Sequence, residues 1–178
     1  MTVFDSSTGT LQVLTGVDGA AARMGHRLTI EVQSWHASLS WEGERPSALT
    51  LTTDVNSLHV DSGAGGLTPM TSPERLVARS NALKTLSAKR FPHITFASTD
   101  IEATDTGYRI TGELQICGRR HRHIVEVAVT GHKVSSRTEV RQSDFGIKPY
   151  SMMMGSLRVA DTVTINFNAS ATDSHRSE

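Results

Sequence analysis

The sequence is poor in features on which several protein classes depend. Its 178 residues contain one cysteine, Cys117, so no disulfide can form within the chain. The 18 basic and 18 acidic side chains cancel, and only 5% of the residues are aromatic. Nucleic-acid-binding proteins typically present a basic surface with aromatic stacking platforms. We therefore expect no nucleic-acid partner.

Long apolar runs and targeting signals are also missing. No segment approaches the ~20 consecutive apolar residues of a transmembrane helix, so stable membrane insertion is not expected. The N-terminal segment lacks the basic and apolar regions of a secretory signal, which predicts a cytoplasmic protein. The length favours one domain. We expect that domain to span residues 1–170, with a polar, frayed tail over residues 171–178.

Motifs for catalysis and metal binding are absent from the sequence. It contains no nucleophile elbow, phosphate-binding loop or dinucleotide fingerprint. Cys117 precedes His121 by four residues, but an activated cysteine also needs an orienting group, so an inert thiol is the simpler interpretation. His121 and His123 share one side of a strand, yet a zinc site needs three or four ligands. We predict no enzyme, no cofactor and no metal site.

The sequence is rich in period-two alternation of apolar and polar residues, the signature of β-strands that are wet on one face. The clearest strand is Tyr108–Ile116, and Thr162–Ala169 and His123–Thr130 follow the same rule. Further strands fit Leu11–Leu14, Ala48–Val55 and Ile94–Ile101, and the alternation is weaker over Val134–Phe145. From His26 to Trp41 the apolar parity changes between Val32 and Trp35, which indicates one long strand with a bulge.

One helix interrupts this pattern. Thr71 and Glu74 have the spacing of a capping box, and Pro73 suits a first helical turn. An apolar stripe follows and predicts a helix over Ser72–Ser87; its members are Leu76, Val77, Leu83 and Leu86. Seven to nine strands with one helix form a sandwich or a barrel, and closing the sheet removes exposed edges. We predict an all-β fold, an antiparallel barrel of about eight strands capped by one helix.

Several short motifs, taken in order from Leu11 to Ser170, resemble the YceI-like family. They are Asn56–Val60 before a glycine-rich loop, Phe91–Ser98, Ile110–Gly118, Val125–Val127, Ser143–Ile147 and Val163–Ile165. The resemblance implies a lipocalin-like barrel that holds a long-chain lipid, such as a polyisoprenoid or a fatty-acid derivative, and it implies frequent dimers. The chain departs from the family at Leu76–Ser80, where many members carry an Arg-Asp-x-His-Leu run, so no ligand contact is transferred there.

The inward-facing apolar residues are the candidate ligand-binding residues. They are Leu28, Ile30, Val32, Leu51, Phe96, Ile110, Leu114, Ile116, Val125, Val127, Ile165 and Phe167. A non-catalytic carrier would bury an apolar chain among them, at about 0.8 kcal/mol per methylene. Because a hollow barrel and a filled one share one binary pattern, the alternative is a solidly packed stress-related or protein-interaction module.

Three features keep more than one interpretation. His26 is a hydrogen-bonded structural residue or a site residue. The basic hairpin Arg119–His123 is a solvated strand end or an anion-binding group, because arginine forks hold phosphate well. The methionine cluster Met152–Met154 is a ligand-facing rim, a homodimer contact or plain loop packing.

Overall fold

The computed structural model describes residues 1–171, which form mostly antiparallel sheet. The strands are β1 (Thr2–Asp5), β2 (Gly9–Leu14), β3 (Val17–Asp18), β4 (His26–Val32), β5 (Trp35–Glu42), β6 (Arg45–Asp54), β7 (Leu58–Gly65), β8 (His93–Thr104), β9 (Gly107–Ile116), β10 (Arg119–Thr130), β11 (Lys133–Arg141), β12 (Ser151–Met152), β13 (Leu157–Val159) and β14 (Thr162–Ser170). The one α-helix among the described residues, α1, spans Ser72–Thr85. Short 3₁₀ turns lie at Ala22–Met24, Val55–Ser57, Gln142–Phe145 and Met153–Gly155.

Eleven strands form one curled sheet in the order β1-β5-β6-β8-β9-β10-β11-β14-β2-β4-β7. Strands β4 and β5 follow each other in the chain, separated only by Gln33 and Ser34, yet they stand near opposite ends of that order. The sheet therefore curls back on itself through one bent strand, and the predicted all-β barrel with one helix is confirmed. The strand number exceeds the predicted eight because the bent segment counts twice and β1 and β7 extend the sheet.

The bend lies where the alternation changes parity. Ile30 and Val32 are buried on β4, and Trp35 and Ala37 are buried on β5, so the two residues between them restore inward orientation. The backbone around the bend remains paired, because Gln33 donates to the Ser57 carbonyl oxygen. A smooth strand would send one of these apolar sets to the outer face, since strand side chains alternate.

The lid helix α1 begins as the sequence predicts and ends two residues earlier. The Thr71 hydroxyl accepts from the Glu74 backbone N–H, and the Glu74 carboxylate accepts from the Thr71 N–H at 2.6 Å, which completes the capping box. Ser87 has a left-handed backbone, with φ 50°, so the helix cannot continue to it. The expected single stripe is only partly buried: Leu83 packs on the core, whereas Leu76 is 69% exposed.

One half of the barrel is filled by side chains. Trp35 and Phe167 stack edge to face with ring centroids 5.4 Å apart, and Phe4 contacts Phe167 at 6.3 Å. Beyond them, the Phe96 ring lies against Gly112 on the neighbouring strand, where a β-carbon would fall 2.4 Å from the ring. Gly112 therefore makes room for the aromatic ring that closes this end of the interior.

The opposite end carries α1 and a second, three-stranded sheet in the order β12-β13-β3. Here the walls separate, because β10 and β11 pair only over Val127–Thr130 with Lys133–Ser136.

The sequence pattern assigns Ala171 to the frayed tail, but the structure pairs it with the barrel. Its N–H donates to the His132 carbonyl oxygen at 2.8 Å. The rest of the predicted tail, residues 172–178, lies outside the described residues.

Candidate binding cavity

A cavity of about 650 Å³ occupies the half of the barrel beneath the lid helix. Its walls come from both sides of the curled sheet, its roof from α1 and the preceding Met70, and its rim from β3, β12 and β13. The lining side chains are mostly aliphatic. If each carbon takes about the volume of a water molecule, ~30 Å³, the space holds on the order of twenty carbon atoms.

Seven of the twelve residues predicted from the sequence line this cavity. They are Leu28, Ile30, Val32, Leu51, Leu114, Ile116 and Ile165. These residues belong to four different strands, yet the closure of the sheet brings them around one space. Leu114 pairs in register with Phe96, so it stands at the floor, where the open half meets the filled half.

The other five predicted residues do not line the cavity. Phe96 and Ile110 are buried in a core cluster that also contains Phe145, with Val125 and Val127 packed against it, and Phe167 belongs to the aromatic group beside Trp35. All five point inward, as their parity requires. Parity describes only the direction across the sheet, so it does not distinguish positions along the barrel axis.

The residues that close the cavity are not among the twelve candidate ligand-binding residues. From the lid come Val77, Ala78 and Asn81, and from the rim come Tyr150 and Met152. The methionine cluster was the available signal, and its interpretation as a ligand-facing rim agrees with the position of Met152. The lid residues had no comparable signal, because an apolar helix face predicts burial without naming what it covers.

Polar groups at the rim are held by local contacts. The His26 ring lines the cavity and also donates Nε2–H to the Thr68 carbonyl oxygen at 2.8 Å. Gly66 lies under the ring, with φ 73°, where a β-carbon would fall 2.5 Å from Nε2. His26 is thus both a hydrogen-bonded structural residue and part of the lining.

Two carboxylates near the cavity are already engaged. The Asp18 carboxylate lies 3.1 Å from Arg158 Nη2; the Gly19 backbone N–H, more than the arginine, lowers the pKa of this carboxyl. Glu74 caps the lid helix, and the Thr71 backbone N–H lowers the pKa of its carboxyl. Both therefore stay ionised and occupied by the protein itself at neutral pH.

Arg79 fastens the lid to the barrel. Its Nε donates to the Leu58 carbonyl oxygen and its Nη2 donates to the Asn56 carbonyl oxygen, both at 2.6 Å. Leu58 begins β7 and Asn56 lies in the 3₁₀ turn just before it, so one planar side chain joins α1 to the edge of the sheet. Arg79 falls in the stretch Leu76–Ser80, where the sequence departs from the motif of the family that it resembles.

Side chains of the basic hairpin Arg119–His123 contact other side chains of the barrel. Arg120 reaches Glu113 Oε1 at 3.3 Å and Gln115 Oε1 at 2.9 Å. His121 stacks on Phe145 with centroids 5.1 Å apart, and His123 Nε2 lies 2.9 Å from Thr138 Oγ1. These contacts support the interpretation of a charged strand end. Within residues 1–171, no three histidine, cysteine or acidic side chains gather as metal ligands.

Cys117 sits at the tight turn between β9 and β10. Its thiol donates to the Leu86 carbonyl oxygen at 3.1 Å, and burial raises the pKa of the thiol. A raised pKa lowers the thiolate fraction at neutral pH, and the thiolate is the nucleophile. The geometry favours a structural thiol.

Sequence comparison identifies the family. The sequence model of the YceI-like domain family matches residues 4–171, almost the whole chain. The chain belongs to the YceI-like family. No curated protein matches the sequence of this YceI-like protein.

Solved structures agree with the fold. Burkholderia cenocepacia BcnA is 20% identical, with a TM-score of 0.68 over 94% of this chain and 99% of BcnA. The YCEI protein of Campylobacter jejuni is 15% identical, with a TM-score of 0.57 over 80% of this chain and 84% of that protein. Within the described part of the YceI-like chain, no helix has the length and hydropathy needed to cross a bilayer.

Proposed function

We propose that this YceI-like protein is a non-catalytic carrier of a long-chain apolar molecule, such as a polyisoprenoid or fatty-acid-like lipid, held beneath the lid helix. The observation that carries the proposal is the aliphatic cavity of about 650 Å³. Empty cavities of this kind are costly, because their lining atoms lack contact partners. An apolar chain supplies those partners at about 0.8 kcal/mol per buried methylene.

The chemistry of the lining supports binding without turnover. The ionisable groups around the cavity are few, and Glu74, Arg158 and His26 each have a protein partner. Hydrolysis or group transfer would need a nucleophile with an adjacent base. Cys117, the one thiol, does not line the cavity, and it is hydrogen-bonded to the Leu86 carbonyl oxygen.

Native mass spectrometry of freshly purified protein tests the proposal. We expect an extra mass that organic extraction removes, and we expect the extracted protein to bind cis-parinaric acid, a fluorescent long-chain fatty acid. The cavity-blocking variant is Leu28→Trp, which adds an indole to the wall. Its matched control is Ile124→Trp, because Ile124 is 41% exposed on the outer face of β10.

Leu28→Trp should fold and lose probe binding, whereas Ile124→Trp should bind as the wild type does. Absence of any bound mass together with unaltered probe binding by folded Leu28→Trp would contradict the carrier. That result would favour the packed interaction module. The same spectra report the oligomeric state, and the homodimer stays a prediction until they do.

A further inference from the structure

The mouth of the cavity both lines the apolar space and faces solvent. It consists of Met24, Val77, Tyr150 and Met152. All four side chains line the cavity, and all four remain exposed to solvent, with Val77 at 59%. Exposed apolar side chains are ordinary when scattered. Here they surround the opening of an apolar space, so the apolar surface is continuous from the interior to the outside.

The methionine loop, Met152–Gly155, extends this apolar rim outward. Met153 and Met154 have left-handed backbones, with φ 51° and 58°, a conformation that favours glycine or asparagine. Met154 is fully exposed and Met153 is half-exposed. The turn therefore presents flexible, polarisable side chains to the outside at positions where polar turn residues are favoured.

Unpaired cations flank the same rim. Arg23 adjoins Met24, the Arg27 guanidinium lies beside Gly65, and Lys148 stands between the cavity-lining residues Ile147 and Tyr150. None of the three has an ion-pair partner among residues 1–171. Neither carboxylate of the cavity rim forms an ion pair with them: Glu74 accepts from the Thr71 backbone N–H, and Asp18 pairs with Arg158.

We propose that the mouth and the methionine loop dock on the surface of an anionic lipid bilayer. Apolar side chains that enter the headgroup region together with cations that meet lipid phosphates are the composition of an interfacial binding surface. The lid and the opening would then face the membrane. The docking itself does not depend on the carrier function, but its purpose, passage of an apolar ligand between bilayer and cavity, rests on it.

A second copy of the chain fits this surface less well. A two-fold dimer through the mouth would oppose the same patch on both protomers. The positive charges of Arg23, Arg27 and Lys148 would then face a patch that carries the same three positive charges. Like charges at an interface oppose association. A bilayer rich in anionic headgroups supplies the opposite charge.

Vesicle co-sedimentation tests the docking directly. The full-length protein, stripped of ligand, is mixed with phosphatidylglycerol–phosphatidylcholine vesicles or with phosphatidylcholine vesicles alone. We expect binding to the anionic vesicles that weakens as salt is added, because the attraction is screened. The triple variant Arg23→Ser, Arg27→Ser, Lys148→Ser should bind about a hundredfold more weakly, at about fivefold per removed charge.

The apolar contribution is tested by Met153→Ser with Met154→Ser. These two side chains are absent from the cavity lining, so the variant should retain cis-parinaric acid binding while losing about tenfold in vesicle affinity. The matched control is Val129→Ser with Lys133→Ser, since both side chains are exposed at the opposite end of the barrel. That control should bind vesicles normally.

Two outcomes would overturn the proposal. One is equal affinity of the wild type for anionic and neutral vesicles, or no affinity for either. The other is a dimer that the methionine variant dissociates, which would identify the surface as an interface between copies of the chain. Failure of vesicle binding with intact cis-parinaric acid binding would refute the docking and leave the carrier function standing.

Discussion

At the scale of single residues, position along the barrel axis decides what an inward side chain does. Ile110 and Leu28 are both inward and aliphatic, but Ile110 is buried in the filled half whereas Leu28 lines the cavity. We expect Ile110→Ala to lower the free energy of unfolding by about 2–5 kcal/mol, because it opens a new void. Leu28→Ala should lower the free energy of unfolding by about 1–2 kcal/mol, which is close to the transfer free energy of the removed apolar atoms without a new void.

Urea denaturation of the two alanine variants, in ligand-free protein, measures this difference. The two m-values should agree, so that the comparison reflects stability and not a change in the exposed surface. Equal losses of unfolding free energy at Leu28 and Ile110 would mean that the filled half of the barrel is no better packed than the half that holds the cavity.

His123 gives the molecule a residue-level response to acid. It is half-buried between β10 and β11, and burial lowers the pKa of its imidazole below the usual 6.5. The unfolded chain therefore binds a proton more readily than the folded one. Its contribution to stability is present above about pH 6.5 and is lost as the pH falls through the lower folded pKa.

We expect the free energy of unfolding to fall between pH 7.5 and 5.5, and His123→Gln should reduce that fall. Denaturant unfolding at both pH values provides the measurement, with exposed His93→Gln as the matched control. An identical pH dependence in His123→Gln and the wild type would show that other groups carry the response.

At the scale of elements, the lid helix is held at its start by a cap. Thr71→Ala removes the hydroxyl that accepts from the Glu74 N–H, a change that costs about 1 kcal/mol of helix stability. Amide hydrogen exchange in the first turns of α1 should accelerate about fivefold. Ser80→Ala, at an exposed position in the middle of the helix, should leave those amides unchanged.

The same helix is held along its length by Arg79. Arg79→Met removes two charge-assisted hydrogen bonds to the Asn56 and Leu58 carbonyl oxygens, and such bonds contribute about 1.5–3 kcal/mol each when buried and less when exposed. We expect faster release of cis-parinaric acid in stopped-flow measurements. Arg75→Met is the matched control, because within residues 1–171 the Arg75 guanidinium bonds only to Ser72, which is on its own helix.

Arg79→Lys should restore only part of the slow release, since an ammonium group lacks the planar fork that reaches both carbonyls. A release rate unchanged in Arg79→Met would mean that the lid moves as part of the barrel or that the ligand leaves elsewhere.

At the scale of the whole molecule, ligand binding should stabilise the barrel as a unit. A ligand at a concentration of a hundred times its dissociation constant raises the free energy of unfolding by about 2.7 kcal/mol. This corresponds to a rise in Tm of roughly 5–11 °C for a chain of this length. Thermal unfolding of extracted protein with and without cis-parinaric acid measures the rise. Leu28→Trp should show none, whereas Ile124→Trp should show all of it.

The amino-acid sequence by itself determined which residues form strands and which side chains face inward. Alternation placed Tyr108–Ile116 on β9, the parity change marked the bend between Val32 and Trp35, and Thr71 with Glu74 marked the start of the lid. These properties depend on neighbours within a few residues, through side-chain direction and local hydrogen bonds.

Only the tertiary structure decided where the interior is open. Leu114 and Ile110 look alike in sequence, four residues apart on one face of β9, but the first lines the cavity and the second lies in the filled core. The difference comes from Phe96 on the adjacent strand β8 and from the aromatic group around Trp35, whose members reach the interior from strands far from β9 in the chain. Filling depends on the summed volumes of side chains that meet only after the sheet closes, and no local pattern contains that sum.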